Sequence, residues 1–357
     1  MRKSRFYRNS SRIVSFVGQK AGPEAGKWLR IPIPLKPMKN DSPILHPKYL
    51  FEALASILIA VILGSTNVFA ADTADLTVID PVTNLWRMHA SDDTGSYAAV
   101  QWGLEGDVRV PADYDGDGTK DIAVWRPSNG TWYIIRSRDG YISHIQWGLT
   151  TQYPTGGIED VPVPADYDGD GTDDIAVWRP VDGRWYVLTS KSGFYPPKAL
   201  ICEWGLYGDV PVPADYDGDG RNDAAVFRST QNRWYIAQSK TGNLDIRYFG
   251  IAGDDLLVPA DYTGDGLADL AVFRSGVWYV QDITGHETEQ VEFGFPDSQP
   301  VPADYDGDGT TDYAVYRDGT WFIYDSGTPR FRTLSFGREG EFPLNELSVK
   351  QSLVAVR

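Results

Sequence analysis

From residue 75 onward, short, largely apolar runs are separated by polar stretches of Gly, Asn, Asp and Pro. Ile122-Ala-Val-Trp-Arg, Thr131-Trp-Tyr-Ile-Ile and His144-Ile-Gln-Trp are examples, each rich in β-branched and aromatic side chains. Runs of this kind, bounded by turn formers, predict short strands. No segment over 75–357 keeps the 3.6-residue period of a helix.

The runs recur in a fixed order. A Val-Pro-Ala-Asp run leads into an Asp-rich loop, and three further runs follow it. The loop starts at Asp113, Asp166, Asp215, Asp261 and Asp304, so successive copies stand 53, 49, 46 and 43 residues apart. Four short strands in a unit of that length predict an all-β propeller of four-stranded blades. The chain ends support a closed ring over a linear solenoid. Asp75-Leu-Thr-Val-Ile-Asp, Leu85-Trp-Arg-Met and Val100-Gln-Trp match the second, third and fourth strands of a unit that lacks its first. Phe342-Pro-Leu matches the missing first strand. Pairing of the N- and C-terminal segments would remove the open edges, giving six blades. Leu353-Val-Ala-Val-Arg also matches a second strand, which leaves seven blades as the alternative.

Each loop reads Asp-x-Asp-x-Asp-Gly-x-x-Asp, as in Asp113, Asp115, Asp117, Gly118 and Asp121. Alternate carboxylates on a tight turn converge, and Gly118 permits the backbone conformation such a turn needs. Clustered carboxylates repel unless a cation neutralises them, and the loop sequences contain no recurring basic residue. Hard oxygen donors in this number suit Ca²⁺ better than Mg²⁺. The loop is not an EF-hand, whose twelfth position holds a bidentate Glu where this chain has Val124.

These features resemble the FG-GAP/VCBS repeat family of integrin α-subunit propellers and many bacterial secreted proteins, over about residues 75–357. The resemblance implies Ca²⁺ between the first two strands of a blade, held in the first copy by Asp113, Asp115, Asp117, Thr119 and Asp121. The second set is Asp166, Asp168, Asp170, Thr172 and Asp174, and the third is Asp215, Asp217, Asp219, Arg221 and Asp223. The fourth is Asp261, Thr263, Asp265, Leu267 and Asp269, and the fifth is Asp304, Asp306, Asp308, Thr310 and Asp312. The seventh loop position acts through its carbonyl, so Arg221 and Leu267 are compatible with it. Thr263 replaces a carboxylate, which makes the fourth of five expected sites the weakest.

Charge divides along the chain. Residues 1–70 hold 11 Lys/Arg against 3 Asp/Glu, and the remainder holds 22 against 46. So acidic a surface disfavours nucleic acid. Residues 53–71 carry no charge and include the apolar run Leu54–Leu63 before Val68-Phe69-Ala70-Ala71. That pattern predicts a signal peptide over 38–70, cleaved after Ala70, with a membrane anchor as the alternative. Residues 1–37, basic and without periodicity, are expected to be disordered or to precede the true start at Met38. The 71–357 part is then a single exported domain, expected to be monomeric. Cys202 has no partner for a disulfide and is expected as a small packed residue.

Two further series recur. Trp86, Trp132, Trp185, Trp234, Trp278 and Trp321 mark the third strand, and Trp102, Trp147, Trp204, Phe249, Phe293 and Phe336 form a second series in the fourth-strand runs. Both are expected to pack between blades. Arg126, Arg179, Arg228, Arg274 and Arg317 close the second strand, where the N-terminal unit has Asp80. They are expected on the face opposite the Asp loops, paired with residues such as Asp107, Asp209 and Asp254, or else open to an anion. No asymmetric catalytic constellation stands out. His46, His89, His144 and His286 are scattered, and no nucleophile-elbow or zincin pattern is present. The expectation is a non-catalytic module for an extracellular glycan or protein, with a hydrolase or lyase at the channel mouth as the alternative.

Overall fold

The computed structural model describes residues 74–90, 97–149, 160–251, 253, 255–285 and 288–344, together with Ile62–Leu63. It contains six antiparallel sheets in a ring. Five are built from consecutive strands, the first from Val108–Arg109, Ile122–Arg126, Thr131–Ile135 and Ile142–Gln146. Four more follow the same plan and end with Arg330–Ser335. The sixth, closing sheet takes Leu76–Asp80, Leu85–His89 and Tyr97–Gln101 from the N-terminal part and Phe342–Pro343 from the C-terminal part. Val78 and Ile79 pair antiparallel with Pro343 and Phe342. The shared sixth blade is therefore present and the chain forms six blades. Leu353–Arg357 lies outside the described residues, as do 1–37 and the expected leader, apart from Ile62–Leu63, whose backbone pairs with Ala99 and Ala98 at the outer edge of the closing blade.

The sequence pattern explains which strands are deep. Second strands such as Ile175-Ala-Val-Trp-Arg are buried along most of their length because blades cover both of their faces. Fourth strands alternate or lie open, because each has a neighbour on one edge only. Cys202 sits on the fourth strand Leu200–Glu203, all of it exposed, so the expectation of a packed thiol is corrected.

The third-strand Trp residues are fully buried, and their indole N–H groups donate to a main-chain carbonyl at the end of the fourth strand, as Trp132 does to Trp147 at 3.0 Å. The second series joins blades: Trp102, Trp147 and Trp204 donate to the carbonyls of Tyr133, Tyr186 and Tyr235 in the following blade, at 3.1, 3.0 and 3.0 Å. Each of these buried or partly buried indoles thus keeps its one donor satisfied while packing at the seam between sheets.

Candidate metal loops and the opposite face

The Asp loops follow the first strand of each complete blade and close on an isolated bridge, as Ala112 with Asp121. The first Asp organises the turn. Asp113 Oδ1 accepts from the backbone N–H of Gly116 at 2.7 Å and Asp117 at 3.2 Å, and Oδ2 accepts from Gly118 at 2.8 Å. Gathering these donors bends the chain through Gly116 (φ +70°) and Gly118 (φ +84°), where a side chain would be strained. Asp166, Asp215, Asp261 and Asp304 accept from the same Gly pair of their own loops.

The ninth position is the most buried. Asp121, Asp174, Asp223, Asp269 and Asp312 are all almost fully enclosed. Burial pushes Asp121 and Asp174 up to about 7, and Asp223, Asp269 and Asp312 up to about 6. Asp121 Oδ2 accepts from Tyr114 N at 3.0 Å and Oδ1 from Ser137 N at 2.6 Å. Ser190, Ser239 and Ser326 donate likewise to Asp174, Asp223 and Asp312.

Positions one, three and nine come together in the first three loops. Asp113, Asp115 and Asp121 each offer an oxygen within 4.8 Å of the others, as do Asp166, Asp168 and Asp174, and Asp215, Asp217 and Asp223. In the fifth loop the groups are Asp304, Asp306 and Asp308, and Asp306, Asp312 and Asp325. No such group forms at the fourth loop among the described residues. In the first three loops position five lies outside these groups: Asp117 and Asp170 accept from Thr119 N and Thr172 N and from the hydroxyls of Ser137 and Ser190. Asp219 accepts from Arg221 N, Asp265 from Leu267 N and Asp308 from Thr310 N.

These residues fit a hard divalent cation. Ca²⁺–O distances of about 2.3–2.6 Å put two ligands of one ion at most about 5 Å apart. Both oxygens of Asp115 are buried without a hydrogen-bond partner. The guanidinium groups of Arg138 and Arg136 stand 3.8 and 4.0 Å away, too far to satisfy them. Burial, with Asp117 beside it, holds this carboxyl above its ordinary range.

Sequence reading missed the third-strand exits. Ser137, Ser190, Ser239 and Ser326 tie the loops to the third strand from about 16 residues downstream, a spacing at which Ser carries no signal of its own. A basic residue follows the first three of them. Arg138, Lys191 and Lys240 act on Asp115, Asp168 and Asp217. The reading that nothing basic recurs near the carboxylates is thus corrected: the cations lie outside the loop in sequence and beside it in space. Neighbouring loops are also stitched together. Asp113, Asp166, Asp215, Asp261 and Asp304 accept through their main-chain carbonyls from Asp173, Asn222, Ala268, Thr311 and Ala74.

The Arg series lies at the other end of the second strands, beside the connections from fourth to first strands. Arg126 donates through Nε and Nη2 to Asp107 at 2.8 and 2.9 Å, and Arg179 and Arg228 hold Asp160 and Asp209 in the same way. Arg274 pairs with Asp255, one residue beyond the expected Asp254, and Arg317 with Asp297. Each of the first four also stacks on the third-strand Tyr of its blade, at 4.1–4.9 Å. These arginines are held by the scaffold. The same face exposes apolar side chains, Leu104, Leu206, Tyr207 and Ile251 in the connections and Val82 and Val181 on the second turns.

An FG-GAP-like repeat model matches residues 113–177 and 166–226. Comparison of the sequence with curated proteins finds no match. Among solved structures, the chain is similar to an Agrocybe aegerita lectin described by its recognition of non-reducing terminal N-acetylglucosamine. Identity is 17%, over 77% of this chain and 86% of that one, with a TM-score of 0.51, a likeness of fold. It is also similar to a functionally unknown protein from Desulfotomaculum acetoxidans, at 14% identity over 74% and 81% of the two chains, with a TM-score of 0.44.

Proposed function

Because this chain is an FG-GAP repeat β-propeller protein, we propose that it is an exported, non-catalytic binding module whose Asp loops are fastened by Ca²⁺. The division of the ring into two faces carries this reading. The acidic loops gather on one face, where bound Ca²⁺ would neutralise the clustered carboxylates and tie the first strand to the second. The other face carries the exposed Leu104, Leu206, Tyr207 and Ile251 between ion pairs that are already satisfied. Exposed apolar groups among fixed polar ones suit recognition of a glycan or a protein. Among the described residues, no helix is long and apolar enough to cross a membrane.

A glycan array that includes N-acetylglucosamine-terminated glycans, run beside a hydrolysis and lyase screen of the same set, tests the reading. Binding without turnover, lost on Leu206→Asp and Tyr207→Asp, supports it. Turnover of any bound glycan sinks it. The Agrocybe aegerita lectin suggests the first probes and nothing more.

A further inference from the structure

The stitching between neighbouring Asp loops joins ligand position to ligand position. The first Asp of a loop accepts through its main-chain carbonyl from the eighth position of the next loop. Asp173 N reaches Asp113 O at 2.7 Å, Asn222 N reaches Asp166 O at 2.6 Å and Ala268 N reaches Asp215 O at 2.7 Å. Between loops one and two the link is doubled, because Asp113 N also donates to the Asp173 carboxylate at 2.8 Å.

The loops also meet through side chains. A Cβ on Gly116 would stand 2.5 Å from Thr172 Oγ1, and one on Gly169 would stand 2.9 Å from Arg221 Cγ. Position four of one loop is thus the seat for position seven of the next, and glycine leaves the room for it. Position four lies between the third and fifth positions, and positions seven and eight lead directly into the ninth. The contacts therefore run from the carboxylates of one loop to those of its neighbour.

The first three loops share one geometry. In each, positions one, three and nine lie within ligand distance of one another, and no such group forms at the fourth loop among the described residues. Asp115, with its side chain 3% exposed, keeps both oxygens without a hydrogen-bond partner, and Oδ1 of Asp217 is left in the same way. An ion that draws Asp113, Asp115 and Asp121 together fixes the Asp113 backbone and the turn at Gly116. Through the two contacts it also fixes Thr172 and Asp173, which lead into Asp174. The second ion then has less of its own site to order, so the ordering cost is shared. Repulsion between the ions acts in the opposite sense, and physiological salt screens it over about 8 Å.

We propose that loops one, two and three take up Ca²⁺ as one positively cooperative unit, and that the fourth loop separates loop five from it. The inference rests on the reading of the Asp loops as Ca²⁺ sites and adds the coupling between them.

Calorimetric titration of the full chain with Ca²⁺ alone, in about 0.15 M salt, tests this. Circular dichroism in EDTA first establishes that each chain is folded, so that cooperativity does not come from folding. The wild type is expected to give a Hill coefficient of about 1.5 or more, the limit being the number of coupled sites. Asp306 belongs to both carboxylate groups of the fifth loop. Asp306→Asn should remove that ion and keep the cooperative phase. Asp168→Asn disables the middle loop, and should bring the coefficient close to one and weaken loops one and three about fivefold. If Asp168→Asn does not fold, Arg221→Ala decides: it keeps the carbonyl of position seven, removes the side chain seated on Gly169, and should lower the coefficient at an unchanged number of ions. An unchanged coefficient in that variant overturns the coupling, as do independent sites in the wild type or wild-type affinities in Asp168→Asn. Loss of cooperativity in Asp306→Asn overturns the separation of loop five. A wild type that takes up no Ca²⁺ overturns the Ca²⁺ reading itself.

Discussion

Arg87 and Glu341, separated by 254 residues in sequence, form a nearly buried ion pair in the closing blade. In the other blades the guanidinium comes from the end of the second strand, as in Arg126 with Asp107. Here that place holds Asp80, which caps its own turn by accepting from Val82 N and the Thr83 hydroxyl. The guanidinium has moved to the third strand, where it also lies 5.5 Å from the Phe336 ring centroid. The pair joins the N-terminal strands of the blade to the C-terminal one. Glu341→Ala leaves Arg87 enclosed without its partner and is expected to cost about 3 kcal/mol in urea unfolding. Glu203→Ala, which breaks the exposed pair with Arg184, should change little. Equal effects from the two would argue against a role in ring closure.

Asp115→Asn should act in opposite directions with and without metal. In EDTA it removes a buried charge that has no donor and lies beside Asp117, so the melting temperature should rise. With Ca²⁺ at a hundredfold excess over Kd, it should forfeit up to about 2.7 kcal/mol of ligand stabilisation. A variant that melts lower than wild type in EDTA would contradict this account.

The buried loop carboxylates make a pH prediction for the metal-free chain. Asp121 and Asp174 titrate near about 7, and Asp223, Asp269 and Asp312 near about 6, against an ordinary value of 3.8. Between these values the folded chain binds protons that the unfolded chain has released. Stability from these groups is therefore greatest at low pH and is lost as pH rises through about 6 to 7. Melting temperature in EDTA should fall from pH 5.5 to 8, and the increment on adding Ca²⁺ should grow over the same range. A melt in EDTA that is flat or climbs with pH would count against it.

Trp204→Phe tests the seam between blades. Phe249, Phe293 and Phe336 occupy this place in later units, so the ring volume is tolerated. What is lost is the donor to the Tyr235 carbonyl at 3.0 Å. The expected cost is about 1 kcal/mol by urea unfolding. Trp185→Ala, which empties a fully buried site, should cost about 3–5 kcal/mol.

Most of the architecture was legible because it rests on local chemistry. The β-branched and aromatic run Ile175-Ala-Val-Trp-Arg, bounded by turn formers, set a strand, the Gly pairs set the loops, and the spacing of Asp113, Asp166, Asp215, Asp261 and Asp304 set the blade. Even ring closure could be read, since Phe342-Pro-Leu repeats the first-strand signature that Asp75-Leu-Thr-Val lacks before it. The Arg series was legible as a series, although its partner in blade four proved to be Asp255.

The rest depended on which residues meet across strands and blades. Ser137 and Asp325 belong to no local motif, and their meaning comes from the antiparallel register that sets the third-strand exit against the ninth loop position. Arg138, Lys191 and Lys240 lie some twenty residues from the carboxylates whose charge they offset. The exposure of Cys202 and the pairing of Arg87 with Glu341 likewise follow from position in the closed ring. Propensity, turn chemistry and period act over a few residues, so the sequence alone determined the blades and their loops. Electrostatic neighbours and burial arise only when distant strands come within a few ångströms, so the tertiary structure decided how each loop is balanced.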